Sequence, residues 1–308
     1  MDVETPIQKK NKTAAWFSAM RLRTLPLALA STLTGAFLAI DSVEIDGLVL
    51  LFTALTTTFL QVNSNLANDY GDFSHGTDNE GRVGPERAMQ SGAIAEPEMR
   101  NAIIFTSSLS LISGIVLLLI SPLSWMVRVL LFVFGVAAIY ASIKYTAGKN
   151  PYGYRGLGDV SVMAFFGILG VVGSYLCQTG SFDFTVMLAA ISIGAFSTGV
   201  LNINNTRDLE NDEKSGKITL AVKLGPTKAR LYHLAMITIG CVSFMFYAWI
   251  HFEWGWSWLF LISFPFFMLN AFKVFTTKES ASLDPYLKQL ALSTFLFAIT
   301  LGIGLWLQ

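Results

Sequence analysis

Residues 101–120 read NAIIFTSSLSLISGIVLLLI and contain no charged side chain. A helix needs roughly 20 mostly apolar residues to cross the hydrocarbon core of a bilayer, so this stretch alone predicts a membrane span. The same character recurs along the chain of 308 residues, of which 53% are hydrophobic and only 14% are charged. Soluble domains usually carry about 25% charged residues. The sequence therefore predicts an integral membrane protein, and no nucleic-acid partner is expected.

Similar apolar segments flank residues 101–120 on both sides. Since only helices or closed barrels satisfy the backbone in lipid, and these segments are too long and uniform for barrel strands, they predict a helical bundle. The expected fold is all-α, a polytopic bundle of nine transmembrane helices in a single domain over residues 1–308, with residues 1–13 as a flexible tail. The predicted spans are residues 16–40, 47–67, 101–120, 125–146, 158–178, 184–206, 231–250, 255–275 and 288–307.

The basic residues predict the orientation of the bundle. When the connections are assigned alternately, one side receives the N-terminal region and the loops 68–100, 147–157, 207–230 and 276–287. All 21 Lys and Arg residues except Arg128 belong to that side or its helix ends. The positive-inside rule makes this side cytoplasmic. We therefore expect a multi-pass protein of the plasma (inner) membrane, with its active-site loops and N-terminus in the cytoplasm and its C-terminus outside.

Two polar clusters lie where the second and sixth predicted spans end. The first cluster, residues 65–78, reads NLANDYGDFSHGTD, and the second cluster, residues 204–217, reads NNTRDLENDEKSGK. Matching residues lie 140 positions apart, which indicates an internal parallel repeat of the kind that membrane bundles often contain. The matching pairs are Asn65 and Asn205, Asn68 and Asp208, Asp72 and Asp212, and Gly76 and Gly216.

The oxygen-bearing side chains in each cluster recur at i, i+3 and i+7, which places them on one helix face. Each cluster also follows a helix C-terminus, where the helix dipole favours cations. Carboxylate and amide oxygens suit Mg²⁺, which typically binds through a few carboxylates together with water and substrate phosphates. The clusters therefore predict a magnesium site. Its candidate ligands are Asn68, Asp69, Asp72, Asp78, Asp208 and Asp212.

Basic residues flank both clusters, as a diphosphate substrate would require. Positive-inside topology explains basic residues at this side as well, so that alternative stays open. Arg23 lies just inside the first span, where a charge usually faces a cavity. The loop GKNPYGYRGLGD, residues 148–159, could cap the site or form a simple turn, and its glycines match no nucleotide-binding fingerprint.

Three motifs resemble the aspartate-rich signatures of the UbiA-type intramembrane prenyltransferase superfamily: residues 68–72 (NDYGD), Tyr140-x-x-x-Lys144 and Asp208-x-x-x-Asp212. The nine spans and the cytoplasmic placement of the motifs agree with that family. A narrower set resembles the branch whose acceptor is 1,4-dihydroxy-2-naphthoate, although Gly76 stands where many members have an aspartate, so Asp78 would take its place. The narrower set comprises residues 21–26, Gly76-x-Asp78, residues 90–92, 154–159 and 204–208.

The resemblance implies transfer of a polyprenyl group from polyprenyl diphosphate to 1,4-dihydroxy-2-naphthoate within membrane lipid. Carbon dioxide and diphosphate would be lost and demethylmenaquinone formed, with two Mg²⁺ ions as the implied cofactor. The implied catalytic residues are Asp72, Asp208, Asp212, Lys144 and Tyr140. The implied substrate-binding residues are Arg23, Asn65, Arg82, Arg87, Lys149, Tyr154, Arg155, Asn205, Arg207 and Lys217.

Other functions remain open at this point. Within the superfamily the acceptor could instead be 4-hydroxybenzoate, homogentisate, haem or chlorophyllide. A cation transporter would also need acidic groups, but transport sites usually lie near the bilayer midplane, whereas these acids lie at one boundary beside basic residues. A purely structural scaffold would leave the repeated faces of acids and amides unexplained.

Overall fold

The computed structural model of the chain describes residues 12–78 and 87–308, and every regular element within them is helical. In this part of the chain, nine helices are long and apolar enough to cross a membrane, which confirms the all-α prediction and the number of spans. They are α1 (Lys12–Asp41), α2 (Gly47–Ser74), α3 (Glu96–Ile120), α4 (Trp125–Lys144), α5 (Gly158–Thr179), α6 (Val186–Arg207), α7 (Leu220–His251), α8 (Trp256–Thr276) and α9 (Ser280–Trp306). Of the tail predicted at residues 1–13, residues 1–11 lie outside the described part, and Lys12 and Thr13 begin α1.

Several of the spans contain a local break or a change of helix type, and those in α1, α5 and α7 lie within the helix rather than at its start. In α1 the break is at Arg21, which adopts a left-handed conformation with φ 47°. In α7 it is at Gly225, with φ 74°, and Pro226 starts the long membrane helix that follows. Residues Met163–Val172 of α5 form a π-helix, a wider winding that is often found at functional sites.

The core of the bundle forms around α6, which packs against α5, α7 and α9. Phe196 of α6 stacks on Phe267 of α8, with ring centroids 4.0 Å apart. Phe297 of α9 meets Phe196 edge-on, and Phe244 of α7 in turn contacts Phe297 at a centroid distance of 4.6 Å. Each such aromatic pair contributes about 0.5–1.5 kcal/mol of stability beyond the burial of its surface, so these pairs hold α6 to α9 together.

By contrast, α4 is a peripheral helix. None of its residues, all of which are described, is fully buried, and it packs on α2 and α3. Asn63 of α2, itself fully buried, connects the three helices. Its amide nitrogen donates to Ser142 of α4 at 2.9 Å, while its carbonyl oxygen accepts from Thr106 at 2.9 Å and Ser107 at 3.0 Å. Such hydrogen bonds help to hold helices together in lipid, where water offers no alternative partner.

We expect Asn63→Ala to destabilise the attachment of α4. Three side-chain hydrogen bonds disappear at once, and bonds of this kind in membranes are each worth on average about 0.6 kcal/mol. The free energy of unfolding in detergent should therefore fall by about 1–2 kcal/mol. Ser108→Ala is the matched control, since the Ser108 hydroxyl is exposed and bonds only within its own helix, to the carbonyl of Ile104. Equal stability of the two variants would refute the role of Asn63.

Candidate active site

A cavity of about 390 Å³ lies among α1 to α6. On α2 its lining extends from Thr53 to Asp72, and 19 residues at 1.5 Å each correspond to about 28 Å. This length is close to the roughly 30 Å thickness of a bilayer's hydrocarbon core. We call the end near Asp72 the polar end and the remainder, towards Thr53, the shaft. The polar end is lined by Arg21, Asn65, Asn68, Asp72, Thr77, Asp78, Arg87, Asn204, Asn205, Asp208, Asp212 and Lys217.

The shaft differs from the polar end in its chemistry. Its walls are largely aliphatic and aromatic, including Leu27, Leu60, Ile115, Phe132, Phe165 and Leu169. Two of the hydroxyls among them bond within their own helix: Thr57 donates to the carbonyl of Thr53, and Ser174 donates to the carbonyl of Gly170. The cavity thus joins a charged pocket to a long apolar space, as an amphiphilic substrate would require.

Lys217 connects the two clusters at the polar end. Its ammonium nitrogen lies 3.4 Å from Asp72 and 3.9 Å from Asp212, so carboxylates from both halves of the repeat share one cation. Burial by itself would lower the pKa of Lys217, but the charges of Asp72 and Asp212 outweigh it and raise the pKa above its ordinary value. Lys217 therefore stays charged at neutral pH.

Tyr154 joins the loop 148–159 to this cluster. Its hydroxyl donates to Asp72 at 2.9 Å and lies 2.6 Å from the hydroxyl of Thr77. Burial, and after it the negative charge of Asp72, raises the pKa of Tyr154, so the phenol remains a hydrogen-bond donor. The Tyr154 carbonyl also accepts a hydrogen bond from the backbone of Ile218, which places the loop beside the second cluster.

Arg207 lies behind the cavity wall and fixes Asp208. Its guanidinium donates to both carboxylate oxygens of Asp208, at 2.9 and 2.6 Å, and to Asn204 at 3.0 Å. A further nitrogen of Arg207 contacts Asp284 of α9, which lies 3.9 Å from Arg23 of α1. Such bidentate pairing defines the orientation of a carboxylate. A row of alternating charges therefore connects α1, α9 and α6 to the polar end.

The second cluster is less regular than its sequence predicts. The spacing indicates one continuous helical face, but α6 ends at Arg207 and Asp208 has a non-helical ψ of 9°. A separate short helix, Leu209–Lys214, then carries Asp212. The bidentate pairing of Arg207 with Asp208 stabilises this break, and Asp208 and Asp212 both line the cavity.

The cavity brings together only part of the predicted site. It is lined by Asn65, Asn68, Asp72, Asp78, Arg87, Asn205, Asp208, Asp212 and Lys217. Asp78 and Arg87 lie on opposite sides of an undescribed segment and pair at 3.6 Å. Arg82 falls within that segment, outside the described residues.

The other predicted residues do not line the cavity. Tyr154 and Arg207 act on its carboxylates from behind, as described above. Asp69 is buried against the turn after the undescribed segment, where the backbone amides of Ala88 and Met89 face its carboxylate. Tyr140 is 64% exposed on α4. Arg23, Lys149 and Arg155 are exposed and Lys144 is half-buried.

Several contributing residues escape sequence reasoning. Arg21 lines the polar end from the break in α1; it belongs to the motif of residues 21–26, of which only Arg23 is predicted to be substrate-binding. Asp284 begins the α-helical part of α9, 72 residues after Asp212, and nothing in its surroundings in the sequence signals a link to Arg207. Thr77 and Asn204 lie within the two clusters, and their positions could have been found there.

The donor set fits Mg²⁺. Carboxylates and amides of both clusters line one pocket, and the ammonium group of Lys217 occupies the position between Asp72 and Asp212 where a cation is favoured. Among the described residues, no three acidic, His or Cys side chains converge tightly enough to hold a metal ion alone. A bound Mg²⁺ would therefore take further oxygens from water and phosphate, as this ion usually does.

Fold and site together define a polytopic membrane protein with an oxygen-rich pocket that continues into an apolar shaft, the arrangement expected of an enzyme for amphiphilic substrates. Residues 28–306 match the model of the UbiA prenyltransferase family. The chain belongs to that family.

Relatives of known name agree with this assignment. A protein of Haemophilus influenzae named 1,4-dihydroxy-2-naphthoate octaprenyltransferase is 41% identical over 297 residues, covering 96% of each chain. An Escherichia coli protein of the same name is 39% identical over 98% of each chain.

Solved structures show the same fold at low identity. A UbiA homologue from Aeropyrum pernix superposes with a TM-score of 0.69 at 15% identity, over 93% of this chain and 98% of that one. A homologue from Archaeoglobus fulgidus, bound to DMAPP and Mg²⁺, gives a TM-score of 0.62 at 15% identity, over 94% and 99%.

We expect Asp284→Asn to weaken Mg²⁺ binding at the polar end. Without the negative charge of Asp284, Arg207 neutralises Asp208 more strongly and the pocket becomes more positive. A partly exposed charge pair is worth about 0.2–1 kcal/mol, so the Mg²⁺ concentration for half-maximal thermal stabilisation should rise up to about fivefold. Asp183→Asn is the control, since Asp183 bonds to Thr185 at the opposite end of the bundle. An unchanged Mg²⁺ dependence in Asp284→Asn would contradict the charge row.

Proposed function

We propose that this chain transfers a polyprenyl group from polyprenyl diphosphate to 1,4-dihydroxy-2-naphthoate, with loss of carbon dioxide and diphosphate, to form demethylmenaquinone. The observation that carries the proposal is the cavity itself. Its polar end offers carboxylates, amides and three cations, Arg21, Arg87 and Lys217, for a diphosphate. Its shaft offers an apolar space for an isoprenoid chain, within a cavity whose total length along α2 is about 28 Å.

The choice of acceptor rests on the relatives. Proteins named for 1,4-dihydroxy-2-naphthoate match almost the whole chain at 39–41% identity. The cavity by itself is equally compatible with 4-hydroxybenzoate or homogentisate, because any small aromatic acceptor could approach the polar end. The reaction class and the acceptor are therefore separate parts of the proposal and need separate tests.

The residues of the polar end divide into metal holders and anion binders. Asn68, Asp72, Asp208 and Asp212 would hold Mg²⁺, which we propose as two ions. When bound, Mg²⁺ neutralises the diphosphate and makes it a better leaving group. Lys217 and Arg87 now pair with Asp72 and Asp78, and both can turn to the phosphate oxygens when the anion enters. Tyr154 keeps Asp72 oriented throughout.

In the proposed reaction the allylic C–O bond of the donor breaks, and its electron pair leaves with the diphosphate. Lys217 and Arg87 stabilise the negative charge that develops there. The naphthoate carbon that carries the carboxylate attacks the allylic carbon and forms the new C–C bond. The carboxylate then leaves as carbon dioxide, and the electron pair of the broken bond restores the aromatic ring. The apolar shaft keeps water away from the electron-deficient allylic carbon.

We expect purified protein in detergent to form prenylated naphthoquinol from octaprenyl diphosphate and 1,4-dihydroxy-2-naphthoate, with diphosphate released. EDTA should abolish the product, and Asp208→Asn should lower the rate about 100-fold or more, because a group that stabilises the leaving charge is lost. Asp183→Asn should leave the rate unchanged, since it lies outside the cavity.

This assay tests the proposed acceptor and the proposed reaction class separately, and either can be contradicted without the other. Product with 4-hydroxybenzoate alone would keep the prenyltransferase and change its acceptor. If folded protein transferred to no aromatic acceptor, the enzyme would be excluded and metal-dependent cation flux in vesicles would become the next measurement.

We further propose that the polar end faces the cytoplasm of the plasma (inner) membrane and that the C-terminus lies outside. The native Cys177 and Cys241 are both buried, so added cysteines can report the orientation. We expect Phe184→Cys, in the exposed loop before α6, to react with a membrane-impermeant maleimide in intact cells. Glu213→Cys, exposed beside the polar end, should react only after permeabilisation. The reverse pattern would invert the topology.

A further inference from the structure

Four glycines line the shaft. Gly170 packs against Ser31, but Gly114 on α3, Gly135 on α4 and Gly173 on α5 leave room for a β-carbon. None of them has a positive φ, so the backbone does not require glycine at these positions. A β-carbon at Gly135 would meet no atom within 4 Å. At Gly114 the nearest atom would be the methyl group of Thr56 at 3.6 Å, and at Gly173 the side chain of Leu169 at 3.7 Å, both ordinary contacts.

These glycines differ from those that pack helices together. At Gly35 a β-carbon would come within 2.0 Å of a backbone oxygen, and at Gly302 within 2.4 Å of Phe37. Close helix approach explains glycine in such places, but not at Gly114 or Gly135. A glycine inside a helix costs about 0.5–1 kcal/mol relative to alanine. The space left by the missing side chains belongs to the cavity.

Gly114 and Gly135 lie at the same depth. The hydrogen bond from Asn63 to Ser142 sets the register of α2 and α4, which run in the same direction because one span separates them. Thr56 lies two turns before Asn63 on α2, and Gly135 lies two turns before Ser142 on α4, so both are further from the polar end. Thr56 also bonds to Ser113, the neighbour of Gly114, at 3.0 Å.

This layer is far from the polar end but is not the end of the cavity. Thr56 precedes Asp72 by 16 residues, or about 24 Å of helix. The lining continues about one turn further, to Thr53 on α2, and includes Leu118 on α3 and Leu131 on α4. A substrate chain must therefore pass Gly114 and Gly135 to reach the deepest part.

We propose that Gly114 and Gly135 determine the length of the prenyl chain that the enzyme accepts. This inference rests on the proposed function, since it assigns the shaft to the isoprenoid chain of the donor. With its diphosphate at the polar end, a short donor ends before the glycine layer. A long donor extends past it into the deepest part of the cavity.

The test compares Gly135→Phe with the wild type, using geranyl diphosphate as the short donor and octaprenyl diphosphate as the long one. The phenyl ring fills the layer, so kcat/KM for octaprenyl diphosphate should fall tenfold or more, since excluding about two methylene groups from burial is enough for this change. With geranyl diphosphate, kcat/KM should stay within about twofold. Gly114→Leu, on the neighbouring helix α3, should show the same selectivity.

Ala137→Phe is the matched control. Ala137 lies on the same helix as Gly135, is exposed and does not line the cavity. An added ring there should therefore leave kcat/KM unchanged for both donors. Equal losses for both donors in Gly135→Phe, or no loss for the long donor, would overturn the proposal.

A failure of the proposed function would look different, because the wild type itself would then transfer neither chain. In that case thermal stabilisation by each diphosphate decides the question separately. Selective loss of octaprenyl diphosphate binding in Gly135→Phe would support the length limit, and equal binding of that donor by wild type and variant would reject it.

Discussion

The pairing of Lys217 with Asp72 and Asp212 is the interaction on which the polar end depends. Two clusters of carboxylates project from helix ends into one pocket, where their charges repel each other across a medium of low dielectric. A cation between them removes this repulsion and lets α2 and the segment after α6 approach. The position that Lys217 satisfies is also the position at which a divalent ion would be attracted. The groups that hold the folded protein together are therefore the groups proposed to bind metal and diphosphate.

The same demand for paired polar groups shapes the rest of the bundle. Arg207 can be buried because Asp208 and Asp284 neutralise its charge, and Asn63 can be buried because Ser142, Thr106 and Ser107 bond to its amide group. Each network joins separate helices of the bundle. The firm aromatic packing is concentrated around α6 to α9, whereas α2, α3 and α4 depend more on polar contacts. The cavity lies on this second, less aromatic side.

The sequence predicts the parts of this structure that arise from local chemistry. Nine apolar segments and two acidic clusters are visible because their residue types and spacing follow from bilayer thickness and helix geometry. The break at Asp208, the link from Asp284 to Arg207 and the outward position of Tyr140 depend on how distant helices pack, which no local pattern encodes. Gly135 is a related case. Its role as open space becomes visible only when the neighbouring helices are in place and nothing fills the gap.

The peripheral position of α4 and its place in the cavity wall have one explanation. A helix that lines a space for an apolar chain has few side chains to pack against on that face, and its opposite face meets lipid. Tight packing of α4 along that face would close the shaft, so α4 is also attached by hydrogen bonds at single points. Asn63 with Ser142 is one such point, and the hydroxyl of Thr146, just after α4, bonding to the carbonyl of Ala67 is another. Weak apolar packing of α4 thus follows from the need for an open shaft, and the buried hydrogen bonds of α2 compensate for it.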